Sequence, residues 1–323
     1  MTHFLARRLL ALLLTLAAAS VLIFLVLEVL PGDVAQMMMG PEADPAAVQA
    51  LARQLGLDQP AWWRYLQWVQ GLFSGQLGES VVYGAPVASL LAERLALTVP
   101  LALLAMGLTV LAALGVGVYA ALHHRRWPDT VLMGLGQLGV ALPSFWLAML
   151  LILVFSVWLG WLPSGGFDGW QGEDEGRWTG LLRGVQALLL PALALACVQA
   201  AILARFVRTA MLDARGEACV RTAWAKGLSA RQVLWHHVFR NAMIPVLTVA
   251  GMQFAELMAG AVVIENVFSL PGLGRLLFQS IANRDLVVVR NCVLLLVMLV
   301  VVLNFIVDVL YAWVDPRLRA RTL

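Results

Sequence analysis

Six mostly apolar stretches of roughly 20 residues or more constrain this chain more than any other feature. They run from Leu9 to Leu30, Leu95 to Leu122, Val131 to Leu159, Leu188 to Ala204, Ile244 to Ile264 and Val287 to Tyr311. A bilayer core about 30 Å thick takes about 20 such residues per helix. That core holds no water, so every backbone amide must be paired inside the segment and helices are the default. Length alone would suggest two soluble domains, but of the 323 residues 61% are hydrophobic and 13% charged, too apolar a balance for that. The expected fold is all-α: one polytopic transmembrane domain, residues 1–323, with about six spans.

The first stretch follows Arg7 and Arg8 and contains Ala17-Ala18-Ala19, so a cleaved signal peptide is the rival reading. The hydrophobic run continues past the alanines through Val21-Leu22-Ile23-Phe24, which favours an uncleaved span. Basic residues set the orientation, because short loops rich in Arg and Lys stay in the cytosol. The N-terminus, the 123–129 turn, the 205–243 segment and the tail together hold fourteen basic residues against four acidic. The opposite set of loops (31–94, 160–187, 268–286) holds seven basic against eleven acidic. Both termini are therefore expected inside.

The outward segment 31–94 is long enough for a subdomain of its own. Pro45 to Leu57 reads as a short helix ended by Gly56 and the Asp58-Gln59-Pro60 turn. Trp62, Trp63, Tyr65 and Trp68 then crowd together, as in a helix anchored at headgroup level. The second outward loop, 160–187, is Gly-rich and acidic at Glu173-Asp174-Glu175, and reads as irregular and solvated.

Catalytic chemistry finds little to work with. Lys226 is the only lysine and is followed by Gly227, whereas a phosphate-binding P-loop needs Gly-Lys followed by Ser or Thr. No metalloprotease, serine-hydrolase or dinucleotide-binding signature is present, so the chain is not expected to be an enzyme. Cys197, Cys219 and Cys292 are far apart, and the five histidines have no Cys or carboxylate at ligand spacing. Neither a disulfide framework nor a bound metal or cofactor is expected.

The 208–243 loop has more content. Gly227 breaks it, and Ser229-Ala230-Arg231-Gln232 has the form of a capping box, which starts a helix near Ala230. Leu234 and Val238 fall one turn apart, with Val233 and Phe239 widening the apolar side and Arg231, Trp235 and Arg240 elsewhere. The segment thus reads as a short helix, a Gly break and a second helix. A surface hairpin tying two spans together is the plain reading. Nucleic-acid binding is disfavoured because the element is clamped to the membrane at both ends.

Val220-Arg221-Thr222-Ala223-Trp224-Ala225-Lys226-Gly227-Leu228-Ser229, followed by Arg240-Asn241-Ala242-Met243-Ile244-Pro245, resembles the ATPase-docking loop of bacterial ABC importer permeases of the dipeptide, oligopeptide and nickel class. Further matches span the chain: Pro31-Gly32-Asp33, Leu55-Gly56-Leu57-Asp58-Gln59-Pro60, Leu142-Pro143-Ser144-Phe145-Trp146-Leu147, the run from Glu265 to Gly274, and Asp315-Pro316-Arg317. The short N-terminus and large first outward loop resemble the "B" permease of the pair. The chain departs from the family at Ala218 and Cys219, where Asp-Tyr is usual, and at Trp224, where Arg is usual.

The resemblance implies a type I ABC importer permease fold in the bacterial inner membrane. It also implies a second permease subunit, two ATPase subunits that use ATP and Mg, and a periplasmic solute-binding protein that sets the cargo. On that basis Arg221, Thr222, Ala223, Lys226, Gly227, Leu228, Val233, Leu234, Val238, Arg240 and Asn241 are expected to form the docking loop. Gly227 would permit the turn, Ala223 the close approach of the ATPase, and the apolar side of the second helix would fill a cleft in it.

Ionisable residues inside spans are functional candidates by default, which singles out Glu256, Glu265 and Asp308 for a hydrated pathway or an interface. Asp308 also suits a helix-end or interhelical hydrogen bond. Gly251, Ala255 and Ala259 recur every fourth residue and would admit another backbone, as at a permease-permease contact. The runner-up function is a proton-coupled secondary transporter with Glu256 and Asp308 as relay, against which stands the lack of a visible inverted repeat. The expected cargo is a dipeptide, an oligopeptide or a related small solute.

Overall fold

The computed structural model describes residues 2–29, 43–54, 56, 58–170 and 177–314. Pro31-Gly32-Asp33, Leu55, Leu57, Glu173-Asp174-Glu175 and Asp315-Pro316-Arg317 lie outside the described residues. In order, the elements are α1 (Thr2–Val29), α2 (Pro45–Gln54), α3 (Ala61–Ser74), α4 (Val87–Leu122), α5 (Trp127–Ala141) and α6 (Ser144–Leu151), which runs on as π-helical turns over Ile152–Trp158. Then come α7 (Arg177–Arg215), α8 (Ala218–Ala225), α9 (Ala230–Gln232, with π-helical turns over Val233–Phe239), α10 (Arg240–Val267), α11 (Leu273–Ala282) and α12 (Leu286–Val314).

Five helices are long and apolar enough to cross a membrane, and the pair α5 and α6 makes a sixth span if counted as one. That pair corrects the continuous span expected over 131–159: the helix breaks at Leu142-Pro143 and turns by 103°. Proline lacks an amide hydrogen and drives the residue before it out of the helical region, and Leu142 is extended at φ −89° and ψ 132°. The fourth span is also longer than 188–204. The 39 residues of α7 reach about 58 Å at 1.5 Å per residue, nearly twice the bilayer core, so the helix carries past its apolar centre at both ends.

The chain divides into two compact units. The first comprises Ala96–Arg275 with the start of α1 and the end of α12. Here α7 packs on α10, α5 and α6. One cluster joins Leu97, Leu101, Leu188, Leu195, Leu257 and Ile264, and another joins Ala113, Leu203, Val207, Met211, Val246 and Ala250. Gly117 sets how closely α4 approaches α7, since a Cβ there would lie 2.6 Å from the Ala204 carbonyl oxygen and 2.7 Å from the Val207 Cβ. A Cβ on Gly115 would meet nothing within 4 Å. Overpacking against backbone costs about 1–3 kcal/mol. Gly117→Val is therefore expected to lower the unfolding midpoint of the purified protein by about 5 °C in a thermal melt, while Gly115→Val leaves it close to wild type.

The second unit comprises Leu10–Leu95 and Leu276–Val301. The aromatic run expected to lie at headgroup level is split by the helical period. Trp62 and Trp63 are exposed, whereas Trp68 is buried and donates its indole N–H to Asn291 Oδ1 at 2.9 Å. Tyr65 shares a hydroxyl hydrogen bond with Ser20 at 3.0 Å, and Phe24 packs edge-on against the Tyr65 ring. The Asp285 carboxylate accepts from Ser80 Oγ at 2.5 Å and from the amides of Val82 and Val288, so it ties the 78–86 turn to the first turn of α12. Helix α2 covers Pro45–Gln54 among the described residues, and Gly56 takes a left-handed φ of +66°, while the expected end at Leu57 lies outside them.

Candidate functional site

Two local devices shape the segment between α7 and α10. Helix α8 ends in Gly227 at φ +76°. The Leu228 amide donates to the Ala223 carbonyl at 3.3 Å and the Gly227 amide to that of Trp224 at 3.0 Å, the double bond of a Schellman termination. Two residues later the capping box forms as its sequence predicts: the Gln232 amide donates to Ser229 Oγ at 3.4 Å, and the Ser229 amide donates to Gln232 Oε1 at 3.0 Å. The chain then continues without interruption from Ala230 to Val267. A stop and a start only four residues apart make a stiff helical hairpin fused directly to a long apolar helix.

The hairpin's apolar face points inward, which corrects two expectations. Val233 and Val238 are each 2% exposed, and Ala223 is buried with Val220. All four pack with Leu203, Val207 and Met211 of α7 and Ala113 of α4, so Ala223, Val233 and Val238 serve the chain's own core and are not offered to a partner. Leu234 and Leu228 are half-buried at its edge. The outward face holds Arg221, Thr222, Lys226, Gly227 and Arg240, with Trp224 53% and Trp235 47% exposed. Tryptophan and arginine standing out together are the residue types that dominate protein interfaces.

The base of the hairpin and the end of α7 that leads into it are held by polar contacts that sequence reasoning missed. Arg208 of α7 grips Asp129 with Nε at 2.5 Å and a terminal nitrogen at 2.7 Å, and His124 Nδ1 lies 3.3 Å from the same carboxylate. Arg215 donates to the Ala121 carbonyl at the end of α4 at 3.0 Å. Asn241, the one predicted docking residue that bridges the hairpin itself, donates to Glu217 at 2.7 Å and to Cys219 Sγ at 3.4 Å. Bidentate Arg-carboxylate pairs fix geometry as well as adding energy. These contacts fix the end of α7, from which the hairpin leaves, against α4 and α5.

The ionisable residues within the spans separate into three environments. Glu256 is exposed and accepts from Gln199 Nε2 at 3.2 Å, while Gln253 Nε2 donates to the Gln199 carbonyl at 3.2 Å. The amide oxygens of Gln199 and Gln253 are buried without a partner among the described residues, so these two glutamines with Glu256 form a polar seam between α7 and α10. Two amides at mid-span were the available signal for it. Asp308 pairs with Arg8 of α1 at 2.8 Å, an interhelical contact. The small-residue stripe does not share one surface: a Cβ on Gly251 would collide with Val307 of the same chain, Ala255 is half-buried and Ala259 is exposed.

Glu265 is 0% exposed and sits inside a network internal to the chain. Its carboxylate accepts from Thr98 Oγ1 at 2.5 Å and from the Gly274 amide at 2.6 Å, and the Leu273 amide closes the circuit on Thr98 Oγ1 at 2.9 Å. Gly272 and Gly274 leave room for this fold-back, since an added Cβ would strike the Glu265 carboxyl at the first and the Val262 backbone at the second. The run Glu265-Asn266-Val267-Phe268-Ser269-Leu270-Pro271-Gly272-Leu273-Gly274 is therefore a reverse turn wrapped around a buried carboxylate.

The spans are helical, one of them is broken, and they carry a stiff hairpin with an exposed aromatic and basic face; comparison with known proteins gives the class. Residues 113–320 match the family described as the inner membrane component of binding-protein-dependent transport systems, and residues 1–102 match its N-terminal region. The chain belongs to this family of type I ABC importer permeases: it is a multi-pass inner-membrane permease subunit and not an enzyme. A putative peptide transport system permease protein of Brucella abortus (strain 2308) is 45% identical over 300 residues, 93% of each chain. The glutathione transport system permease protein GsiC of Escherichia coli (strain K12) is 41% identical over 319 residues, 99% of each chain. Membership of an ATP-driven family displaces the proton-coupled alternative for Glu256 and Asp308.

Proposed function

We propose that this chain forms half of a transmembrane pathway for short peptides, paired with a second permease subunit, and that two ATPase subunits drive it through the 208–243 hairpin using ATP and Mg. The observation that carries this reading is the hairpin itself. It is capped at both helix ends, rooted in the cores of α4 and α7, and presents Arg221, Trp224, Lys226, Trp235 and Arg240 outward. A rigid lever of this kind converts closure of a docked ATPase into displacement of packed helices. The peptide class is supported by what the similar permeases are named for, and a periplasmic solute-binding protein would select among cargoes. Both termini and the hairpin lie in the cytosol on the balance of loop charge.

Within the membrane, Glu256 with Gln199 and Gln253 forms the hydrated wall of the pathway, because an exposed carboxylate in lipid would cost several kcal/mol. Ala255 and Ala259 face the second permease. A cysteine at Ala255 is expected to crosslink to that subunit in an assembled complex; failure in a complex shown to be intact would remove the interface assignment. The function as a whole is tested in proteoliposomes. Labelled dipeptide uptake should vanish when the ATPase subunits are omitted and should survive an uncoupler while ATP is maintained. Uptake without ATPases, or its collapse with uncoupler, would overturn the assignment.

A further inference from the structure

A cavity of about 310 Å³ opens in the second unit, lined by the end of α1, by α3 and by the first turns of α12. Its charged lining is basic in balance: Arg64, Arg284 and Arg290 against Glu28 and Asp285. Both carboxylates are already engaged, Glu28 by Arg64 and Asp285 by Ser80, Val82 and Val288. The Arg290 guanidinium stands over the Trp68 ring, 5.4 Å from its centroid. Its Nε is buried with no hydrogen-bond partner among the described residues, and so is the Nε of Arg64.

A guanidinium stays protonated under all ordinary conditions and presents donors in a planar fork suited to oxyanions. Leaving such donors buried and unmatched is costly, and two of them line one cavity. An anion placed there would meet both arginines, with Trp68 holding Arg290 in position from behind. The surroundings indicate which anion. The cavity lies where the apolar helix α1 ends and α12 begins, and α3, which lines it through Arg64 and Trp68, also carries exposed Trp62 and Trp63, residues favoured at headgroup depth. Leu22, Leu25 and Val26 of α1 are exposed and apolar just along the helix, in line to receive acyl chains.

We propose that this cavity binds the phosphodiester of an anionic diacyl phospholipid, with Arg290 and Arg64 as its ligands. The site is independent of cargo and of ATPase docking. The test uses the complete delipidated transporter in mild detergent, titrated with phosphatidylglycerol, with phosphatidylcholine of the same chains, and with glycerol 1-phosphate, and read by native mass spectrometry. Phosphatidylglycerol should bind about tenfold more tightly than phosphatidylcholine, since both carry the same anionic phosphodiester but only phosphatidylcholine brings a quaternary ammonium in among Arg64, Arg284 and Arg290, where like charges repel. Arg290→Gln should abolish that preference, and Arg53→Gln on exposed α2 should not. Equal retention of both lipids, or unchanged preference in Arg290→Gln, would overturn the proposal. Binding of glycerol 1-phosphate as tight as that of the lipid would also overturn it, in favour of a free phosphate site. Should Arg290→Gln not assemble, a photoreactive phosphatidylglycerol on the wild-type complex decides: labelling concentrated in 61–74 and 286–301 supports the site, and labelling spread evenly over the spans refutes it.

Discussion

Glu265→Ala is expected to lower the unfolding midpoint of the purified permease by about 5–10 °C, the largest stability loss foreseen for any single site in this chain. The substitution takes the acceptor away from the Gly274 amide and from Thr98 Oγ1, both buried. Each unsatisfied buried donor costs about 1–3 kcal/mol, and the vacated volume adds a cavity penalty. Glu265→Gln keeps one acceptor oxygen and the side-chain volume, so about half the loss is expected. Thr98→Val should cost less again. The double variant with Glu265→Ala should fall well short of the sum, since both residues belong to one circuit. A thermal melt of Glu265→Ala indistinguishable from wild type would show that the turn from Glu265 to Gly274 does not depend on its carboxylate.

The second large effect concerns coupling. Trp224→Ala combined with Arg221→Glu should reduce ATP-driven uptake by about a hundredfold while the amount of inserted protein stays normal. Both side chains point away from the core, so folding has little to lose. A docked aromatic or arginine anchor is worth about 2 kcal/mol or more each, and about 1.4 kcal/mol is a decade in affinity. Gly227→Arg should act the same way with an added folding cost of about 1 kcal/mol, because a side chain at φ +76° strains the Schellman turn. Normal uptake in a Gly227→Arg transporter that still holds its ATPases would sink the lever. Val233→Ala should differ in kind, weakening the fold before it weakens docking, since that side chain belongs to the internal core.

How much of this was legible in the sequence depends on how local each determinant is. The stop at Gly227 and the start at Ser229 could be read because each is decided within a few residues: a left-handed glycine and a side chain three positions from its amide. The broken third span was equally local in cause. Pro143 was in plain view, but its apolar surroundings invited a single helix. The apolar side built from Val233, Leu234, Val238 and Phe239 was legible from its spacing, but what it packs against was not, because Leu203, Val207 and Met211 lie on a different helix. Trp235 was set apart from that side with Arg231 and Arg240, whereas Trp224 was noted only as a departure from the family pattern. The burial of Glu265 was out of reach for a different reason: its Thr98 partner is 167 residues away. A carboxylate at the end of an apolar span was a fair signal that Glu265 was unusual, yet it could not say whether the carboxylate met a pathway or a turn of its own chain.

The central claim is that the ATPase meets this permease at the outward face of the 208–243 hairpin, and crosslinking tests it most directly. A chain with Cys197, Cys219 and Cys292 replaced by serine would carry one new cysteine, Thr222→Cys on the hairpin or, for comparison, Arg126→Cys in the turn between α4 and α5. It would be assembled with its ATPases, confirmed as transport-competent and treated with a short bis-maleimide. The Thr222→Cys chain should crosslink to an ATPase subunit, with a yield that changes between the nucleotide-free and ATP-bound states. No hairpin crosslink in an active complex, with efficient crosslinking from Arg126→Cys instead, would place the docking surface elsewhere and contradict the account.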